Sequence, residues 1–219
     1  MGFSADTTRL RSTGVPHEFS MVLDGLKRAL VRPEMTLEEI PAPKRLAPYA
    51  VALKANVAAV QGEVKDKTIK GSSAVPSAET DSSSELATGR FILLFDPQGN
   101  TVWDGTMRIV TYIRAEVDGE MGNDQLAASV AWTWLVEALE EHGAPYRRAG
   151  GTATRALSEN FGDLQQRPDS VNIELRASWT PGNYNVQNQL EAWCDMVCSF
   201  AGLPPLEDGI TPLPNVRLT

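Results

Sequence analysis

The stretch Thr101–Val117, TVWDGTMRIVTYIRAEV, constrains this chain more than any other. Met107, Ile109, Thr111, Ile113, Ala115 and Val117 alternate with Arg108, Val110, Tyr112, Arg114 and Glu116. A period of two, with one apolar and one polar, partly basic side, is the pattern of a half-buried β-strand. Before it, Arg90-Phe91-Ile92-Leu93-Leu94-Phe95 is apolar on both sides and reads as a strand covered on both faces. Asp96-Pro97-Gln98-Gly99-Asn100 joins the two as a turn, Pro presetting φ and Gly taking a positive φ. A strand of this kind needs neighbours and a covering layer, and the rest of the chain supplies candidates for both.

Upstream, Pro16 opens a helix whose Phe19, Val22, Leu23, Leu26 and Leu30 form one apolar stripe, ended by Pro33. Residues 33–48, with four prolines, read as an extended connector. Tyr49–Val60 suits a strand or a helix; Pro48 at its entry and the need of the apolar strand for a neighbour favour a strand. Residues 62–89 contain no aromatic residue and few large apolar ones. Such a segment buries too little surface to offset its ordering entropy, so a disordered insert is expected there.

Downstream, DQLAASVAWTWLVEALEEHG is a helix with Asp124 near its start and Gly143 at its C′ position. Ala127, Ala131, Trp134, Leu135, Ala138 and Leu139 form its main stripe, and Trp132 and Val136 widen the apolar arc. A second hairpin follows, with strands at Thr152–Glu159 and Val171–Trp179, Gly150-Gly151 serving as a tight entry. Residues 184–202 form the last helix, closed by Gly202. The order is α-β-β-β-α-β-β-α: an α+β domain over 16–203 with an antiparallel or mixed sheet of four to five strands and helices packed on it. The order resembles the topology of the type III secretion chaperones, an analogy of fold that carries no function. Residues 1–15 are expected to be a flexible arm and 204–219 an extended, Pro-rich tail.

Composition narrows the function classes. A formal charge of −8 and a pI near 4.9 oppose non-specific nucleic-acid binding, which depends on phosphate neutralisation. Two cysteines and two histidines are too few for a disulfide scaffold and the wrong set for zinc. Cys194 and Cys198 stand one helical turn apart, and the simplest reading is two small buried hydrophobes. His142 near a helix C-terminus is explained by the helix dipole. No Gly-x-Ser-x-Gly, Walker loop, dinucleotide glycine pattern or His-Glu-x-x-His occurs. The N-terminal MGFSADTTRLRSTG lacks the apolar core of a secretory signal, and no run approaches the ~20 apolar residues that span a bilayer. The expected location is the cytoplasm, with no membrane, metal or cofactor called for.

Two features remain. One is the polar strand face, where Arg108, Tyr112 and Arg114 lie beside Glu174 and Arg176, with Arg155 as a further candidate. It reads as cross-strand ion pairing on a wet surface, or as a docking face for an acidic peptide or anionic ligand with Arg and Tyr as anchors. The other is the surplus apolar surface at Trp132 and Val136, which soluble monomers seldom leave bare.

The segments FILLFDPQGN, WDGTMRIVTYIRAE, WTWLVEALEEHGA and AWCDMVCSFAGLPPL resemble the domain-of-unknown-function family numbered 3000. The resemblance covers nearly the whole chain outside residues 1–15 and 62–88. It implies a bacterial cytoplasmic protein from an actinobacterium, with the insert as its variable part, and carries over no catalytic residue. The residues themselves favour a non-enzymatic binding or adaptor protein that uses its sheet and central helix to engage another protein or a second copy of itself. The competing reading is an anionic small-molecule binder, or an unrecognised enzyme, with a pocket near Trp103, Asp104, Arg108 and Arg155.

Overall fold

The computed structural model describes residues 14–58, 85–117, 126–166, 169–204, 213–214 and 216–217. In chain order the elements are α1 (His17–Lys27), β1 (Leu30–Val31), β2 (Met35–Ile40), β3 (Tyr49–Ala58), β4 (Glu85–Asn100) and β5 (Gly105–Val117). They continue with α2 (Ala127–Glu141), β6 (Tyr146–Ser158), β7 (Ser170–Pro181), α3 (Val186–Phe200), β8 (Leu213–Pro214) and β9 (Val216–Arg217). The main sheet runs β6-β7-β5-β4-β3-β2-β9, antiparallel throughout except where β9 lies parallel to β2. The α+β class holds, and Tyr49–Ala58 is a strand.

The inner face of the sheet is the apolar one read from the alternation. Val51, Leu53, Ala55 and Val57 of β3, Phe91, Leu93 and Phe95 of β4, Met107, Ile109 and Ile113 of β5, and Ile173, Leu175 and Trp179 of β7 are all buried. Helices α1, α2 and α3 cover this face. Helix α3 is the innermost layer, with Leu190, Trp193, Cys194, Val197 and Cys198 in the core. Trp193 lies against Gly89, where a Cβ would come within 2.6 Å of its ring. Its indole N–H donates to the Thr111 hydroxyl, which donates in turn to the Arg90 carbonyl at 2.9 Å. A polar residue in the apolar row of β5 is therefore satisfied on both sides.

Both long helices close with a Schellman motif. In α2, Ala144 N–H bonds the Leu139 carbonyl and Gly143 N–H that of Glu140, with Gly143 at φ +55°. In α3, Leu203 and Gly202 do the same with Cys198 and Ser199. Gly25 of α1 lets that helix approach Val186 of α3, at 3.1 Å from an added Cβ.

Several expectations change. Residues 35–40 are a strand inside the supposed connector, because Met35 and Leu37 alternate into the core between prolines that only bracket them. Leu30 leaves the helix and pairs as β1. The hairpin reversal sits at Thr101–Asp104, not at Asp96–Asn100: Asn100 pairs with Gly105, and the Asn100 side chain accepts the Val102 N–H at 2.9 Å. Gly99 does take a positive φ, within the preceding irregularity of β4. Residues 85–89, assigned above to the insert, belong to β4, since Ala87 is buried against Val57 and Ala115. The remainder of the insert (62–84) and of the arm (1–13) lies outside the described residues, as does most of the tail. Gly150-Gly151 is not an entry turn but the middle of a longer β6. At Gly151 a Cβ would meet the Arg176 carbonyl at 2.6 Å and the Trp132 ring at 3.0 Å.

Thr111→Val keeps the shape but strands the Trp193 N–H in the core. We expect a loss of about 1–3 kcal/mol in urea unfolding, with Thr111→Ser close to wild type.

Candidate functional site

Helices α1, α2 and α3 lie on one side, and among the described residues no α-helix packs on the other face of the sheet. That outer face is ordered by register. Lys54, Arg90, Tyr112 and Arg176 stand directly opposite one another across β3, β4, β5 and β7, with Glu38 and Thr152 at the two ends of the row. Neighbouring strands are about 4.8 Å apart, so the cations from Lys54 to Arg176 span about 15 Å. Beside them runs a second row, Ala52, Ile92, Val110 and Ser178, and on the other side Asn56, Thr88, Arg114 and Glu174. The face thus carries an apolar stripe next to a basic one. The doubly apolar strand 91–95 places Ile92, half-buried, and Leu94, buried, on this face, with no α-helix over them among the described residues.

The cations differ in how firmly they are held. The Arg176 guanidinium sits 5.1 Å from the Tyr112 ring centroid and donates to the Glu174 carboxylate at 2.8 Å. Burial raises the Tyr112 phenol above its ordinary pKa, and its hydrogen bond to Glu174 adds to this. Arg114 donates to Asn172 at 3.2 Å, although Glu174 is its register partner. Lys54 and Arg90 form no side-chain hydrogen bond or ion pair among the described residues. The expected cross-strand Arg–Glu ladder is therefore a same-strand pair plus a cation–π contact. A shallow depression of about 260 Å³ opens beside Arg114, lined by Thr88, Glu116 and Asn172 among others.

Of the residues of the pocket reading, Trp103, Asp104 and Arg108 meet at the hairpin turn and Arg155 does not. Asp104 adopts φ +59° in the exposed hairpin turn, where Asp is tolerated. Its carbonyl accepts both Nε–H and an Nη–H of Arg147, and its carboxylate lies 3.4 Å from Arg147 and 3.7 Å from Arg148. The Trp103 carbonyl accepts the Thr180 hydroxyl. Arg108 donates to the Arg148 carbonyl at 2.9 Å, to Ser178 at 2.6 Å and to Thr180 at 3.2 Å, and burial draws its pKa down. The Arg148 carbonyl is available because β6 bulges between Arg147 and Gly150, with Arg148 at φ +54°. These groups lock a turn to a bulge. Arg155 stands opposite Ile173, on the helix-bearing face and toward the far end of β6, away from the other three.

Trp132 and Val136 are half-buried rather than bare. Trp132 covers Gly151, while Trp134 on the other flank meets Phe200 edge-on at 5.6 Å. Burial of the cysteines drives the Cys194 thiol pKa well up and that of Cys198 up to about 12, which suits packing and not thiolate chemistry. Sequence reasoning missed Lys54 and Arg90, which join the row only through strand register. It also missed the partner of His142.

The family model described as "Protein of unknown function (DUF3000)" matches residues 15–211. This chain belongs to that family. No curated protein and no solved structure matches it. In this member of the family, among the described residues, no helix is long and apolar enough to cross a membrane.

His142 Nε2 lies 2.7 Å from Asp195 Oδ2, joining the end of α2 to α3, and Nδ1 is 4.0 Å from Glu191. The hydrogen bond to Asp195 raises the His142 pKa above its ordinary 6.5; burial opposes, and the charges of Asp195, Glu191 and Glu141 reinforce it. The folded chain then holds this proton more tightly than the unfolded one. The contribution to stability is complete below about pH 6.5 and is lost as pH rises through the folded value. Urea unfolding across this range should show stability falling with pH, and Asp195→Asn should flatten that dependence. An unchanged slope in Asp195→Asn would show that the pair does not control it.

Proposed function

We propose that this chain is a non-enzymatic binding protein, an adaptor that docks an acidic segment of a partner protein on the outer face of its sheet. The observation that carries the reading is the row Lys54–Arg90–Tyr112–Arg176, a local basic stripe on a chain of formal charge −8. Arg176 is preorganised by Tyr112 and Glu174, so less rotamer freedom is lost when it meets a carboxylate. Arg90 and Lys54 bring charge, and their side chains have no hydrogen-bond or ion-pair partner among the described residues. The apolar row beside them, Ile92 and Val110 half-buried, gives aliphatic side chains of a ligand a place to rest. The reading takes the protein as a cytoplasmic one of an actinobacterium, in line with the family resemblance.

A fluorescently labelled Asp/Glu-rich peptide, with a Lys-rich peptide as control, tests it by anisotropy. Binding of the acidic peptide alone, weakening with salt, is expected. Arg90→Glu with Arg176→Glu should weaken it about tenfold or more while the fold is retained by circular dichroism. Equal affinity of the double variant, or no binding at low salt, would overturn the proposal.

A further inference from the structure

The two edges of the main sheet are finished differently. At one edge, β9 adds to β2 across Leu37 and Glu38, so the chain covers part of that edge with its own tail. At the other edge, β6 pairs with β7 along its whole length, and among the described residues no strand takes its outer side. Natural sheets blunt such an edge by shortening it, bulging it or charging it. Strand β6 bulges only near Arg147–Gly150. From Gly150 to Ala156 it is regular and exposed except at the half-buried Ala153, and its side chains are small apart from Arg155, so a strand can approach that side over about 23 Å.

We propose that the β6 edge pairs antiparallel with the β6 edge of a second copy, joining two sheets across a two-fold axis. Two further observations favour a second copy over other occupants. First, an antiparallel strand meets itself isologously, and with the opposite edge carrying β9 the association closes at two copies. Second, the register that centres on Ala153 is self-complementary. It sets Thr152 opposite Thr154 of the other copy, a favoured cross-strand pair, and Arg155 opposite Gly151. Gly151 is the residue covered by Trp132, so the second copy's Arg155 arrives beside that indole, where a cation is attracted to the ring. A register centred on Arg155 would oppose two like charges. In the dimer the flank of α2 that carries Trp132 and Val136 faces a neighbour instead of water. The inference deepens the binding reading by naming self-association as one of its forms, but it rests on the β6 edge and not on the basic row.

The test is sedimentation velocity of the full chain over a wide concentration range, with two pairs of substitutions at exposed positions. Thr152→Lys with Thr154→Lys sets lysines opposite one another in the proposed register and should raise the dimer dissociation constant at least about tenfold. Thr152→Glu with Thr154→Lys sets opposite charges together and should keep or tighten the dimer. Hydrogen exchange of amides 150–156 should slow as the wild type associates. A wild type that stays monomeric throughout, or a dimer indifferent to both pairs, would overturn the inference. Sedimentation of the Arg90→Glu, Arg176→Glu variant separates the outcomes: it should dimerise like the wild type while losing acidic-peptide binding, so either reading can fail without the other.

Discussion

The indole of Trp193, seated against Gly89 and hydrogen-bonded to Thr111, is the contact on which the rest of the structure depends. It fixes α3 across the centre of the sheet, between β4 and β5, with the Phe91 ring at 5.4 Å. A second tryptophan N–H pins the start of the same helix: Trp179 of β7 donates to the buried Gln189, whose amide donates to the Pro145 carbonyl. Helix α3 thereby becomes the platform for the others. Helix α1 reaches it through Gly25 and Val186, and α2 through Trp134 and Phe200. Truncating a buried Trp of this kind costs about 3–5 kcal/mol, a large fraction of the stability of a typical domain.

Charge around this platform is used to join elements. Glu191 of α3 accepts the Leu30 N–H at 2.8 Å and lies near His142, which is paired with Asp195. Buried Arg32 binds Glu34 through two nitrogens and donates to the Pro204 carbonyl at 2.6 Å, tying the start of β2 to the chain beyond α3. Burial makes the Arg32–Glu34 contact matter most, because a buried ionic group stripped of its partner is costly, whereas the Asp195 side chain of the His142 pair is 45% exposed and screened by water.

Packing α1, α2 and α3 on one side has a consequence for the other side. Among the described residues the outer face carries its own side chains, and strand register decides which of them meet. Arginines from strands distant in sequence then form a row in an otherwise acidic protein, while the arginines at the hairpin turn are consumed by carbonyls and by Asp104. Cations of the same type thus fall into two groups, one holding the fold and one facing outward.

The sequence by itself determined the strand at Met107–Val117, the two Schellman-closed helices, the buried cysteines and the α+β class, because each follows from local periodicity or from a glycine at a helix end. It also placed Arg108, Tyr112, Arg114 and Arg176 on one face. Only the tertiary structure decided their roles: Arg108 became a lock because a bulge at Arg148 offers it a carbonyl, and Lys54 and Arg90 joined Tyr112 because β3 and β4 pair in that register. The strand at Met35–Ile40 and the place of Gly151 under Trp132 were likewise invisible, since each depends on a partner far along the chain. Periodicity reports which side of an element is buried; which element buries it, and which charges then become neighbours, is set by contacts that no local pattern encodes.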